Sequence, residues 1–480
     1  MERALNSTRN HKASLPTSPI CVPVVKRIKG RLNLRQLNAS NPQDYPFLLQ
    51  STALSEADNS TATSYDILFS FPEQTIQLTS EQKLYRYGEY VSAHNDFFVE
   101  LDSQWQDFNK KYLTDISLPF SGGWFLYLGY ELAQQVEPRL KLSMPEDGFP
   151  IACAIRIPAA VIYDYANNET ILVAEGDKSE LLDKLETDLN NNTEKESAKD
   201  ESFSVVLNED NEQAYLDNVE KVKKYITDGD VFQVNLSRSW KGAKPHKLKS
   251  AHVYQRLSQT NPAPFSGIMD FPFGSIISSS PERLLKIKQG WAETRPIAGT
   301  RPRNQQHVND KADKDELITH PKERAEHIML VDLERNDLGR VCKPGSVRVD
   351  EMMVMESYAH VHHIVSNVKG ELRKDITPGE AIRAVFPGGT ITGCPKERCM
   401  AIISELEQEP RGAYTGSVGY LNHNGDMDIN ILIRTITMTQ DEIRLRTGAG
   451  LVFDSIAENE LEETRHKAKG LLLALGVINE

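Results

Sequence analysis

The sequence predicts an α+β protein built on antiparallel sheets. Three observations carry this. Apolar stretches of strand length cluster ahead of residue 176. Helical and strand patterns mix after residue 205. No internal repeat and no regular β-α-β alternation, the mark of a parallel sheet, occurs along the 480 residues.

The elements follow in order. The opening "MERALNSTRNHKASLPTSPI" is polar and lacks the apolar centre of a secretory signal, so residues 1–20 are expected to be disordered. Strands are predicted at "YDILFSF" (65–71), "GWFLYLGYEL" (123–132), "CAIRIPAAVIYDY" (153–165) and "TILVAEG" (170–176). Leu181, Leu182, Leu185 and Leu189 outline a short amphipathic helix, and "NNNTEKESAKDES" after it reads as a solvated linker. This divides the chain into an N-terminal domain (21–190), a linker (191–204) and a C-terminal domain (205–475). In the latter, Tyr215, Val219, Val222 and Ile226 recur near helical period and stop at Gly229. "VFQVNLSRSW" alternates as a strand, and "SGIMDF" and "GSIISSS", joined through Pro-Phe-Gly, form a hairpin.

The net charge of −13 argues against nonspecific nucleic-acid binding and for a cytoplasmic protein, while leaving a small anionic substrate open. Five scattered cysteines do not suit a disulfide framework. No apolar run reaches the roughly 18 residues of a membrane span.

Several constellations have chemical potential. "ETRPIAGTRPR" (293–303) sets three arginines around a nearly side-chain-free loop, as in a solvated turn or a place where backbone approaches an anion. In "HPKERAEHIMLVDLERNDLG" (320–339), Pro321 suits a first helical turn. Ile328, Val331 and Leu338 are compatible with one buried stripe, and Glu323 and Glu326 share a face. Near the C-terminus, Ser455 and Glu458 fit a capping box, starting a helix near Ile456 on which Glu460 and Glu463 share a face. Two acidic helix faces are either solvated surface or oxygen ligands for a hard cation such as Mg²⁺.

"FPGGTITGCPKERCM" leads through Gly388 and Gly389 to a helix at Pro395, an anion-binding type of helix start to which Lys396 adds charge. "TGAG" (447–450) is a second tight loop, and Arg434 in "ILIRT" adds a cation. Among the histidines of "YAHVHHIVSNVKGEL", His360 and His362 share one strand face and His363 takes the other. They read as packed or surface groups, or as one acid–base residue facing a pocket. In "SSSPERLL", Glu282 leaves a strand, where burial would make it a general acid or an arginine would pair it.

The order of these segments resembles the chorismate-utilising enzymes: "GDVFQVNLS", "SPERLL", "RPIAGTRPR", "KERAEHIMLVDLERNDLGRV", "HHIVSNVKGEL", "FPGGTITGCPK", "GAYTGSVGYL", "DINILIRT", "TGAG" and "ENELEET". The resemblance covers about residues 205–475, a chorismate-binding catalytic domain, and extends to an N-terminal domain like that of anthranilate synthase component I. It implies two antiparallel sheets in a sandwich with helices outside. It also implies Mg²⁺ held by Glu326, Glu460 and Glu463. Chorismate contacts would come from Gly299, Thr300, Tyr414, Arg434 and the backbone of Gly448, Ala449 and Gly450. Glu282 would protonate the departing C4 hydroxyl, with His363 and Thr390 beside it.

Gln233 stands where water-using members carry lysine, which points to ammonia. Asn235, "FPGGTITGCPK" and "GWFLYLGYEL" are similar to the aminodeoxychorismate synthase branch, and the anthranilate synthase branch is the alternative. Ala298 stands where many of the former carry a lysine nucleophile, so that nucleophile is missing. No glutaminase-type G-x-C-x-G elbow occurs, so a separate glutamine amidotransferase is the implied partner. Ser51, Tyr65, Pro264, Phe265 and Ser266 match places where relatives hold tryptophan, or else they pack the domains together. Gln50, where the anthranilate pattern has glutamate, departs from that site.

Overall fold

A computed structural model describes residues 21–53, 65–192, 203–302, 321–357 and 361–477, apart from the side chains of residues 192, 298, 300–302, 321–323, 357, 361 and 362. Among these residues two large sheets form, and every ladder in them is antiparallel.

The first sheet runs in space from Val24–Lys29 through Glu169–Ala174, Ala159–Asp164, Tyr65–Ser70 and Phe47–Gln50. It continues with the hairpin Phe265–Phe271 and Gly274–Ser280, then Thr435–Met438, Glu442–Leu451 and Gln233–Ala243. The second sheet places Ile297–Pro302, Val361–Glu371, Trp291–Thr294, Arg283–Lys288, Met427–Ile431 and Ser417–Asn422 side by side. Gly123–Leu128, Ala152–Ile157 and Thr75–Leu78 follow. Strands from both sides of the linker thus share each sheet.

Between the sheets lies an aromatic core. Phe47 of the first sheet stacks on Phe125 of the second with ring centres 4.2 Å apart, and Phe69, Phe120 and Phe271 pack around them. Helices cover the outer faces. Leu34–Ser40, Glu180–Asn192, Ser250–Thr260 and Ala457–Ala474 pack on the first sheet, and Phe97–Asn109, Pro321–Gly339 and Pro378–Val385 on the second. The architecture is the expected sandwich with helices outside.

Several boundaries differ from the sequence expectation. The apolar run 153–165 is two strands in different sheets, because Pro158 has no N–H to give a ladder and the chain crosses between layers there. "GWFLYLGYEL" is strand only to Leu128, then a 3₁₀ turn at Tyr130–Leu132. On Pro321–Gly339 the buried stripe is His327, Leu330, Val331, Glu334, Asp337 and Leu338, while Ile328 is 46% exposed. Ile328 lies a step round the helix from this 3.6-residue face, which carries a histidine and a glutamate where apolar residues are expected. The last helix starts at Ala457, close to the expected Ile456, but Ile456 is its N-cap, because the Ser455 hydroxyl accepts from the Val452 amide instead of capping. All five cysteines are free thiols, and no described helix is long and apolar enough to cross a membrane.

One buried ion pair ties the layers together. Arg156 of the second sheet donates to both carboxylate oxygens of Glu175, which ends a first-sheet strand, at 2.5 Å each. His423 reaches the same carboxylate at 2.7 Å, and Phe108 and Trp124 wall the guanidinium. Removing one partner strands the other charge in an apolar layer. Glu175→Ala is therefore expected to cost about 3–5 kcal/mol, read as a lowered denaturant midpoint, and an unmoved midpoint would contradict the role given to the pair.

Candidate active site

The site forms where the chain crosses between the layers. At Pro281–Glu282 it leaves the first sheet for the second, and at Leu432–Arg434 it returns. The two crossings are hydrogen-bonded to one another's surroundings: the Ile431 amide donates to the Glu282 carbonyl at 3.0 Å, and the Ser279 amide to the Arg434 carbonyl at 3.1 Å. Arg434 holds φ +53°, a conformation that non-glycine residues adopt at a cost and that clusters at functional sites.

Glu282 is 5% exposed. Its Oε1 accepts from the Thr390 hydroxyl at 2.6 Å, and the Ile297 amide bonds it as well. Burial pushes its carboxyl up to about 8, against the pull of Thr390 and with the push of nearby Glu334; Arg434 draws it back. The group therefore keeps its proton at neutral pH. Burial lowers the Arg434 guanidinium from its ordinary value, while Tyr414, Glu463 and Glu282 draw it back up. The structure thus gathers Glu282, Thr390, Arg434, Tyr414 and Glu463 into one electrostatic neighbourhood.

The floor is backbone. Strands Gln233–Ala243 and Glu442–Leu451 pair with Asn235 opposite Gly450, Leu236 opposite Ala449 and Ser237 opposite Gly448. A Cβ on Gly448 would stand 2.7 Å from the Asn235 Oδ1 and 2.8 Å from the Tyr414 hydroxyl. A Cβ on Gly450 would stand 2.6 Å from the Gln233 Nε2. Both glycines keep the floor bare under polar groups that converge on it. The buried Asn235 Oδ1 and Gln233 Oε1 have no partner among the described residues, so both are acceptors open to a ligand. The Gln233 Nε2 donates to Glu326 at 2.7 Å.

The three carboxylates expected to hold a metal lie on two helices. Glu326, on Pro321–Gly339, reaches toward Gly450, and Glu460 and Glu463, on the last helix, both bear on the buried Tyr215. Glu463 also pairs with Lys467 at 2.6 Å, whose ammonium donates to the Gly448 carbonyl at 2.9 Å. No group of three His, Cys, Asp or Glu close enough to hold a metal by themselves occurs among the described residues.

The strand Ile297–Pro302 borders the site, its Ile297 amide bonding Glu282. Gly299, at φ +68°, sits where the register with Val361–Glu371 shifts between Ala298 and Thr300, a bulge only glycine adopts freely. His363 is buried and pairs with Thr300 on one side and Glu356 on the other. The side chains of Ala298, Thr300 and His362 lie outside the described residues, as do Glu323's side chain and all of His360. Of the three arginines around this loop, Arg295 is engaged by Glu351 and Glu356 at 2.7 and 2.6 Å.

Lys396 starts a helix as expected, but its ammonium pairs with the Asp337 carboxylate at 2.5 Å and donates to the Val385 carbonyl at 3.0 Å. Asp337 and Glu334 do not stand out in the sequence. They lie on the buried face of the helix that carries Glu326, and burial raises both carboxyls. Their signal is "LERNDLG", eight and eleven residues past Glu326, at helical spacing. His327 is equally silent in the sequence; it bonds Ser366 at 2.6 Å, and burial lowers it to about 4.

Ser51, Tyr65, Pro264, Phe265 and Ser266 come together on one cavity of about 390 Å³ between the sheets. Gln50 also lines it, but its amide is taken by Asp66 at 2.8 Å and Arg35 at 2.6 Å.

The chorismate binding enzyme family matches residues 44–473. Aminodeoxychorismate synthase component 1 of Bacillus subtilis (strain 168) is 40% identical over 414 residues, covering 83% of this chain and 85% of that one. An anthranilate synthase component I-like protein of Synechocystis sp. is 44% identical over 360 residues, 75% of this chain and 73% of its own. The crystal structure of anthranilate synthase component I from Streptococcus pneumoniae TIGR4 superposes with a TM-score of 0.76 at 31% identity, over 86% of this chain and 92% of that one. The family match runs along nearly the whole length, and the chain belongs to the family of chorismate binding enzymes.

Proposed function

We propose that the protein is the chorismate-aminating component of an aminodeoxychorismate synthase. It converts chorismate and ammonia to 4-amino-4-deoxychorismate, the precursor of para-aminobenzoate and folate, with ammonia supplied by a glutamine amidotransferase subunit. The observation that carries it is Glu282, a buried carboxyl that holds its proton at neutral pH beside Thr390 and Arg434. Hydroxide is a poor leaving group. Glu282 gives its proton to the departing C4 hydroxyl, which leaves as water. Ammonia forms the new C–N bond, and the proton it then sheds restores the acid, so atoms and charge balance.

Chorismate is a dianion. Arg434, the Tyr414 hydroxyl and the backbone from Gly448 to Gly450 receive it, and His363 borders the ring. Glu326, Glu460 and Glu463 would supply oxygen ligands of the kind Mg²⁺ takes, with water and substrate oxygens completing a shell that these side chains do not close by themselves. When bound, the ion would neutralise a substrate carboxylate. The cavity lined by Ser51, Tyr65 and Phe265 is of a size for an amino-acid ligand such as tryptophan.

Asn235 and the Bacillus relative favour amination at C4. Ala298 favours the second reading, anthranilate synthase, because it removes the lysine that many aminodeoxychorismate synthases use. Incubation with chorismate, Mg²⁺ and ammonium, with and without a downstream lyase, separates the two. The expected product becomes para-aminobenzoate only when the lyase is added. Anthranilate and pyruvate formed directly would select the second reading, and chorismate bound but never consumed would make the protein a non-catalytic chorismate-binding regulator.

At constant free ammonia, kcat is expected to fall as pH rises through about 8, because Glu282 then loses its proton. Glu282→Gln should lower kcat by about 10²–10⁴-fold with chorismate still bound; a flat profile from pH 6 to 9 would remove the acid role. Glu326→Gln and Glu463→Gln are expected to abolish turnover and the response to an Mg²⁺ titration. Wild-type activity that ignores Mg²⁺ would remove the metal assignment.

A further inference from the structure

The segment "GYEL", residues 129–132, lies outside the residues read as substrate contacts. It nevertheless holds the turn that presents Tyr414, some 280 residues later in the chain. The Glu131 carboxylate is 2% exposed. Its Oε1 accepts from the Arg411 amide at 2.8 Å and from the Gly412 amide at 3.2 Å, and its Oε2 accepts from Gly412 at 3.2 Å. The Tyr130 amide in turn donates to the Gly412 carbonyl at 2.8 Å. The Tyr130 ring lies 4.9 Å from the Arg411 guanidinium carbon, and the Tyr414 ring lies 5.6 Å from the same carbon. Gly416 packs so closely that a Cβ there would stand 2.4 Å from the Leu128 carbonyl.

The turn needs such a hold. Gly412 and Thr415 have φ of +60° and +62°, and Thr415 gains nothing from that conformation by itself. A buried carboxylate is costly unless its acceptors are filled. Burial indeed raises Glu131 to about 7, and what draws it back is backbone amides. An apolar side chain would pack this place without that cost, so the carboxylate is explained by the amides it orients.

We propose that Glu131, backed by Tyr130, is a positioning residue for the substrate site. Its carboxylate fixes the Arg411–Gly412 backbone and so sets the Tyr414 hydroxyl over Gly448. This rests on the reading of Tyr414 and Gly448 as chorismate contacts.

The test compares Glu131→Ala, Glu131→Gln, Tyr414→Phe and the Glu131→Ala/Tyr414→Phe double variant in the full-length chain. Chorismate affinity is read by calorimetry, KM and kcat by turnover, and folding by the thermal midpoint. Glu131→Ala is expected to weaken chorismate binding and raise KM about tenfold, as loss of one or two buried hydrogen bonds would. Glu131→Gln, whose amide oxygen still accepts both N–H groups, should return to within about twofold of wild type. In the Tyr414→Phe background, Glu131→Ala should add little, because both changes act through one hydroxyl. If Glu131→Ala does not fold, Glu131→Asp, one methylene short, should show the same coupling to Tyr414. Full multiplication of the two effects, or an affinity left at the wild-type value with only the midpoint lowered, would overturn the proposal. A wild-type chain that does not bind chorismate would instead overturn the reading of the site, and this inference with it.

Discussion

The architecture depends on one constraint: an acid and a cation must be buried together without cancelling each other. Glu282 and Arg434 sit on the two segments that cross between the sheets, and backbone bonds at Ile431 and Ser279 fix those crossings side by side. Burial opposes the charged form of both groups, raising the carboxyl and lowering the guanidinium, which stays cationic. Each senses the other, yet the pull of Arg434 is too weak to leave Glu282 ionised at neutral pH. A sandwich provides this because its two layers exchange strands at the same end, and a crossing is where a side chain leaves both ladders and can face a cleft.

The rest of the site follows from that placement. The floor must be bare, since Asn235, Tyr414 and Gln233 converge on Gly448 and Gly450. The last helix must bring its acidic face back over the same strand, and the Lys467 bond to the Gly448 carbonyl ties the helix to it. The three arginines around the small 293–303 loop are only partly accounted for. Arg295 serves Glu351 and Glu356, while Gly299 supplies the bulge that lets backbone border the cleft. Gly299 is what the described part of that stretch contributes to the site, since the Arg301 side chain and Arg303 lie outside the described residues.

Much of this is legible in the sequence, and the exceptions have physical causes. The Pro-Phe-Gly turn between two apolar runs marks the 265–280 hairpin, and residue alternation marks the 233–243 strand even though its burial does not alternate. Turn chemistry is local, so Pro158 by itself is a signal that divides the 153–165 run, one that apolar content alone overrides. The stripe of Pro321–Gly339 deceives at Ile328 because the buried face is partly polar: His327 and Glu334 lie on it, so hydrophobicity does not trace it. Ser455 and Glu458 have capping-box spacing, but the hydroxyl is claimed by the Val452 amide three residues earlier. Glu131 carries no local signal at all, since its partners are backbone amides of a turn far away in sequence.

The most direct test of the acid is to watch it titrate. Selective ¹³C labelling of glutamate carboxyls, followed by NMR from pH 4 to 10 in the substrate-free protein, should show one resonance with its midpoint near 8 that disappears in Glu282→Gln. If the resonance lost in that variant titrates near the ordinary glutamate value of about 4.3, the carboxyl is ionised at working pH. Glu282 could then not protonate a leaving hydroxyl.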